Sequence, residues 1–182
     1  VFKENLKSIK KKSLLIAVSG GPDSLALAAL SYIYNKEIKN EIFYVHIDHR
    51  IRKNSFREAV SIKKFLKKYN IKLTLLSNKN KINNNIQSKA RIARYDLMKK
   101  FSEKKKVSFI LTAHHSDDQI ETFLIRLSRG SGVQGLSSMR IFTKLDNKRT
   151  IVRPLLGLRK KDLIYISKKI FGKFYVDPSN SN

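Results

Sequence analysis

The chain has 182 residues, 39 Lys plus Arg against 14 Asp plus Glu, a formal net charge of +25 and no cysteine. Zero cysteines exclude disulfides, thiolate nucleophiles and Cys-ligated zinc or iron–sulfur clusters together. An apolar fraction of 41% excludes a fully disordered polycation, and so basic a balance is the footprint expected of a protein that contacts nucleic acid phosphates. No apolar run approaches membrane-spanning length and no secretory leader opens the chain, so the reading is a soluble, cytoplasmic protein with no membrane partner.

Ser13–Ser19 reads as a buried strand, because Leu14 to Val18 form an unbroken apolar run that stops at Gly20-Gly21. A helical period follows from Ser24 to about Tyr34. Glu41–Ile47 is a second strand, Ser55–Tyr69 a helix with Val60, Ile62, Phe65 and Leu66 on its apolar side, and Ile71–Leu76 a third strand. Ser77–Ser88, dominated by Asn and Lys, reads as a flexible surface loop. Ala90–Phe101 is helical, Val107–Ala113 a fourth strand, and His115–Ser128 a helix whose Ile120, Phe123, Leu124 and Leu127 form a stripe facing the core. Arg129–Ser138 is a Gly/Ser loop, Thr150–Val152 a last strand and Arg159–Ile170 a last helix. Strands alternating with helices predict an α/β fold: a mostly parallel, doubly wound sheet with helices on both faces.

Ligands of such sheets sit beyond the carboxyl ends of the strands, and three polar segments fall there. The first is Ser19-Gly20-Gly21-Pro22-Asp23-Ser24. Its glycines allow close backbone approach, Ser24 can cap the helix, and the helix start offers N–H groups to phosphate oxygens. It is neither a Walker A loop nor a dinucleotide fingerprint. The second is His46–Arg52. The third, His114–Thr122, places Asp117 and Asp118 in the first turn of a helix, opposite Asp23 on another strand. Two such acids near a polyphosphate call for a divalent cation, and Mg²⁺ is the usual one. A helical wheel leaves Asp117 and Asp118 both open; Asp118 is preferred because Glu121 and Thr122 share its side.

The hexapeptide resembles the SGGxDS signature of the N-type ATP pyrophosphatases, the PP-loop superfamily. Further segments are similar to one of its members, the tRNA(Ile)-lysidine synthetase family. HxDHxxR is matched by His46–Arg52. ARxxRYxxL is matched by Ala90–Met98, with Met98 one place after Leu97, and TAHHxDDQxET by Thr112–Thr122. RGSGxxGL corresponds to Arg129–Leu136, RPLL to Arg153–Leu156 and DPSN to Asp177–Asn180. The resemblance implies a PP-loop catalytic domain over residues 1–182, without the family's further C-terminal tRNA-recognising domains.

It also implies ATP held by Ser19, Gly20, Gly21, Pro22, Asp23 and Ser24 with His46, Asp48 and His49, and Mg²⁺ on Asp23 and Asp118. Arg94 and Arg129 would clamp phosphate charge, His49 or His114 would position a proton, and Glu121 would support the acids. The implied reaction adenylates the wobble cytidine of tRNA(Ile) bearing a CAU anticodon and then joins L-lysine to it, with AMP and pyrophosphate released. Two other readings compete: a PP-loop ligase acting on a small molecule, and a basic RNA- or nucleotide-binding module without catalysis. The absence of cysteine weighs against thiolating and glutaminase-coupled relatives.

Overall fold

The computed structural model describes residues 1–52, 54–78, 84–132, 135 and 137–175. After a short helix α1 (Phe2–Asn5), the chain runs β1 (Leu14–Ala17), α2 (Pro22–Ile38), β2 (Ile42–Asp48), α3 (Ser55–Lys67), β3 (Leu73–Ser77) and α4 (Ile86–Lys104). It continues through β4 (Phe109–Leu111), α5 (Ser116–Ser128), β5 (Phe142–Lys144), β6 (Thr150–Val152) and α6 (Lys160–Phe171). The six strands form one sheet in the order β3-β2-β1-β4-β6-β5. All neighbours are parallel except β5, which pairs antiparallel with β6.

The alternating side chains of β1 explain why this strand lies at the centre. Leu14, Ile16 and Val18 enter an apolar layer shared with α2, α3 and α6, while Leu15 joins Val45, Ile110 and Met98 of α4 on the other face. Both faces are covered, so an unbroken apolar run is what the position requires. The expected α/β class and doubly wound sheet are therefore present. From β1 the chain builds outward through β2 and β3, then returns to the other side of β1 with β4. The strand order thus reverses between β1 and β4, and in open α/β sheets that crevice is where ligands bind.

Several boundaries differ from the sequence reading. Helix α2 starts at Pro22, with Gly21 as its N-cap, and runs on to Ile38. Helix α4 begins at Ile86, inside the segment expected to be loop, of which residues 79–83 lie outside the described residues. Strand β5 was not expected: its three residues are all exposed, so no apolar alternation marks it.

The larger correction concerns α5. Its stripe was expected to face the core, yet none of its residues is buried, and Ile120, Phe123, Leu124 and Leu127 are 61%, 43%, 55% and 52% exposed. Periodicity identifies an apolar face but does not say what covers it, and no described layer lies over this one. No helix among the described residues is long and apolar enough to cross a membrane.

Candidate active site at the β1–β4 crevice

Between β1 and α2 the chain must turn sharply, and Gly20 makes this possible. Its φ is +98°, and a Cβ there would lie 2.5 Å from Ile62 Cδ1 of α3, so a side chain is excluded on both counts. The Ser24 hydroxyl organises the rest of the loop. It accepts the N–H groups of Ser19 (3.1 Å) and Gly20 (3.0 Å) and the Ser19 hydroxyl (3.1 Å), and donates to the Gly21 carbonyl (3.0 Å).

Ser24 is therefore not the helix cap expected from the sequence. It is the third residue of α2, buried, and ties the loop from inside. Pro22 at the first helical position needs no N–H partner. The N–H groups of Asp23 and Ser24, in the first turn, have no intrahelical acceptor and face the end of the helix dipole that favours anions.

At the end of β4, the backbone N–H of His115 donates to Asp118 Oδ2 at 2.9 Å, which fixes the start of α5. This leaves the His115 ring buried between three carboxylates. Its Nε2 is 3.7 Å from Asp23 Oδ2 and 3.6 Å from Asp118 Oδ2, and its Nδ1 is 4.0 Å from Asp117 Oδ1. Burial pulls the imidazole downward, but Asp23, Asp118 and Asp117 outweigh it and raise its pKa above the ordinary histidine value.

Asp23 and Asp118 thus converge on one buried ring. Asp117 turns partly away: it accepts the Ser116 hydroxyl at 3.0 Å and lies 3.4 Å from the Lys160 N–H at the start of α6. That geometry favours Asp118 over Asp117 as the partner of Asp23. His115 was not singled out from the sequence, although its place three residues before Asp118 was a readable capping signal.

The second strand supplies the next wall. His46 Nδ1 lies 2.8 Å from the Val18 carbonyl and so locks β2 to the strand end that carries the loop. Burial lowers the His46 pKa. Asp48 is buried; its Oδ1 accepts the Arg50 N–H at 2.9 Å, while its Oδ2 has no partner. Burial, with the charges of Arg94 and His46, pulls His49 down to about 4.

His114, whose Nδ1 is 2.9 Å from the Thr112 hydroxyl, is also pulled down to about 4, by burial first and then by Arg153, Arg91 and Arg94. Arg94 therefore acts electrostatically on His46, His49 and His114 at once. Arg129 does not join this group. It follows the last residue of α5, eleven residues beyond Asp118, which at ~1.5 Å per residue is about 16 Å along the helix axis. Glu121 lies one turn along α5 from the acids and is exposed.

The donor set suits a hard cation held together with a polyphosphate. Asp23 and Asp118 supply carboxylate oxygens, and Asp23 Oδ1 is buried without a partner. Among the described residues no three His, Cys, Asp or Glu side chains form a metal cage of their own. Mg²⁺ commonly takes one or two carboxylates and completes its shell with phosphate and water, so these residues fit it.

The whole sequence, residues 1–182, matches the PP-loop domain family. The chain belongs to the PP-loop family. This PP-loop domain is 41% identical over 184 residues to the tRNA(Ile)-lysidine synthase of Orientia tsutsugamushi (strain Boryong), matching 100% of this chain and 40% of that protein. It is 37% identical over 190 residues to the enzyme of the same name from Zymomonas mobilis subsp. mobilis, matching 100% of this chain and 56% of that one. The chain thus spans about half the length, or less, of these relatives.

Among solved structures, the fold is similar to the U34-tRNA thiolase NcsA from Methanococcus maripaludis (TM-score 0.80, 18% identity, 100% of this chain and 65% of that one). It also resembles the NH3-dependent NAD synthetase from Campylobacter jejuni (TM-score 0.53, 16% identity, 93% of this chain and 68% of that one). At these identities the likeness bears on the fold alone.

Proposed function

We propose that this PP-loop domain is the catalytic part of a tRNA(Ile)-lysidine synthetase. It would bind ATP and join L-lysine to the wobble cytidine of tRNA(Ile) with a CAU anticodon, in the cytoplasm. The likeness along the whole chain to relatives named for that activity carries the reading. The crevice geometry supports it.

The polyphosphate of ATP lies against the first turn of α2, where the free N–H groups and the dipole of a long helix favour negative charge. Asp23 and Asp118 would hold Mg²⁺, which would supply neutralisation of phosphate charge. Asp48 and His49 on the adjoining strand end flank the nucleotide, and His46 keeps that strand end in register with the loop. In the first step the C2 carbonyl oxygen of the cytidine attacks the α-phosphorus and pyrophosphate leaves. In the second, the lysine ε-amine attacks C2, loses a proton, and AMP departs with the former carbonyl oxygen.

Arg94 remains cationic beside His46, His49 and His114 and opposes the charge that builds on the phosphate. His49 and His114 are pulled down to about 4 and are neutral at pH 7, so either can orient the attacking amine by accepting a hydrogen bond from it, while the released proton passes to water. Arg129 reaches this chemistry only through movement of the segment after α5, and Glu121 supports the face of α5 that carries Asp118.

The test is transfer of radiolabelled lysine to a CAU-anticodon tRNA(Ile) with stoichiometric AMP release. Lysine incorporated at the wobble cytidine is the expected result. AMP formed with ammonia or a small acid as acceptor, and no labelled tRNA, would transfer the domain to the small-molecule ligases. Affinity for tRNA should also fall steeply between 50 and 200 mM salt, on the order of 10³-fold if about six phosphates are contacted.

A further inference from the structure

A cavity of about 370 Å³ lies just beyond β2, lined by Arg50, Arg52, Ser55 and Phe56. None of these residues belongs to the acidic cluster, yet the cavity sits on the same carboxyl-end rim of the sheet. Its floor is tied to the site directly: buried Asp48, at the end of β2, accepts the Arg50 N–H and holds that residue in the left-handed conformation at φ +53°. A long cationic side chain rarely adopts that backbone, and here it follows from the turn that the Asp48 carboxylate enforces.

Three properties of the cavity point to one chemistry. Phe56 is 53% exposed in the first turn of α3, beside a helix face whose Ala59, Ile62, Phe65 and Leu66 are all buried, so the fold does not use its ring. Two arginines line the cavity with that ring. The Arg52 guanidinium is held in place by Glu58 at 2.7 Å, whereas Arg50 has no carboxylate partner among the described residues. The domain around them is a polycation of +25. An open aromatic ring sharing a cavity with arginine side chains is the combination that takes up an unpaired nucleotide, with the base stacked on the ring and its phosphate drawn to the cation. A compact metabolite would need enclosure that this open rim does not give.

We propose that the Arg50–Arg52–Phe56 cavity holds an unpaired nucleotide of the RNA substrate, next to the one undergoing chemistry. This rests on the reading of the domain as acting on tRNA, and it adds a contact that discriminates stacked from looped-out RNA. Phe56 is the stacking surface, Arg50 the phosphate contact, and Asp48 a positioning residue that presents Arg50.

The experiment uses the full-length protein and an anticodon stem-loop RNA carrying 2-aminopurine at one loop position at a time, without ATP or lysine. At one position, binding should quench the fluorescence. Phe56→Ala should abolish that quench and weaken binding about tenfold, in keeping with the loss of one stacked base. Phe56→Trp should restore both, and Arg50→Gln should lower the slope of log affinity against log salt by about one. Because Phe56 is exposed, circular dichroism and melting of Phe56→Ala should match the parent and so exclude misfolding as the cause.

Equal quench and affinity in the parent and Phe56→Ala would overturn the proposal, as would Phe56→Trp behaving like Phe56→Ala. The two readings fail separately. Lysine transfer with an unchanged KM for tRNA in Phe56→Ala would remove the cavity's role and leave the proposed activity standing. Loss of quench in Phe56→Ala from a protein that never transfers lysine would do the reverse.

Discussion

Helices α2 and α5 both follow a central parallel strand, and each delivers one acid to the crevice from its first turn, yet they are held in opposite ways. Helix α2 buries eight residues, Ser24 to Ala29, Ser31 and Tyr34, between the sheet and α6. Helix α5 buries none. What fixes α5 is its beginning: the His115 N–H on Asp118, the His115 ring among three carboxylates, and the Ser116 N–H on the Leu158 carbonyl at 2.9 Å. One acid of the pair therefore stands on a packed element, while the other stands on hydrogen bonds in which it takes part. A carboxylate can be placed accurately without burying the helix behind it, provided that the first turn is anchored.

The widest separation between the two helices should appear in stability. Leu27→Ala, at a fully buried position of α2, is expected to cost about 2–5 kcal/mol in urea denaturation. Leu124→Ala on α5 should change it by no more than about 0.5 kcal/mol. Similar losses from the two would show that the α5 stripe is covered in solution and would break the comparison.

The acids themselves come next. Asp23→Asn and Asp118→Asn are each expected to slow ATP-dependent pyrophosphate release on the order of 10²-fold or more, with tRNA affinity by gel shift nearly unchanged. A large loss of tRNA binding would contradict their role at the phosphates. Asp118→Ala should add a cost of about 1 kcal/mol in stability, because it also removes the acceptor at the start of α5, whereas Asp118→Asn keeps most of it. Asp23 caps no helix, so its Ala variant should lose only the contact with the His115 ring, a smaller cost than that of Asp118→Ala.

A smaller effect is expected from pH. His49 and His114 are held near 4 by burial and neighbouring arginines, against about 6.5 when unfolded. Between those values the unfolded chain binds more protons than the folded one, so stability should fall as pH drops from about 6.5 to 4 and level off below. His49→Gln and His114→Gln should each flatten that decline. The raised His115 has the opposite sign: its contribution is complete below about 6.5 and disappears as pH rises through its higher folded value. A His115→Gln variant that kept the full alkaline loss would disprove this account of how α5 is anchored.

The sequence reveals most where a residue's neighbours along the chain decide its role. The unbroken run Leu14–Val18 announces a strand covered on both faces, and the Ser19–Ser24 loop announces a turn at its carboxyl end. The alternation of strands and helices then brings Asp23 and Asp118 to the same crevice. What was not legible depends on partners distant in sequence. The exposure of the Ile120–Leu127 stripe is set by what lies over α5, and the short β5 is set by its pairing to β6, since Phe142, Thr143 and Lys144 show no alternation.

Ser24 was misassigned for a similar reason. A serine near a helix start reads as a cap, but Pro22 moves the helix boundary two residues earlier and leaves Ser24 to bind the loop from within. The role of His115 is set by side chains that the fold brings to it. Its actual partners are the carboxylates on either side of the crevice. The DPSN segment and part of the Gly/Ser loop, residues 133, 134 and 136, lie outside the described residues.

The loop that receives ATP in the proposed reaction is closed by a residue far along the sequence. The Gly20 carbonyl accepts the N–H of Tyr175 at 3.0 Å, and the Tyr175 ring packs edge-on against Phe65 of the helix that abuts Gly20. During synthesis, the first strand and its turn leave the ribosome more than a hundred residues before this closing strap does. A nascent chain therefore carries the Gly20 turn without this closing hydrogen bond until Tyr175 has been made and has emerged.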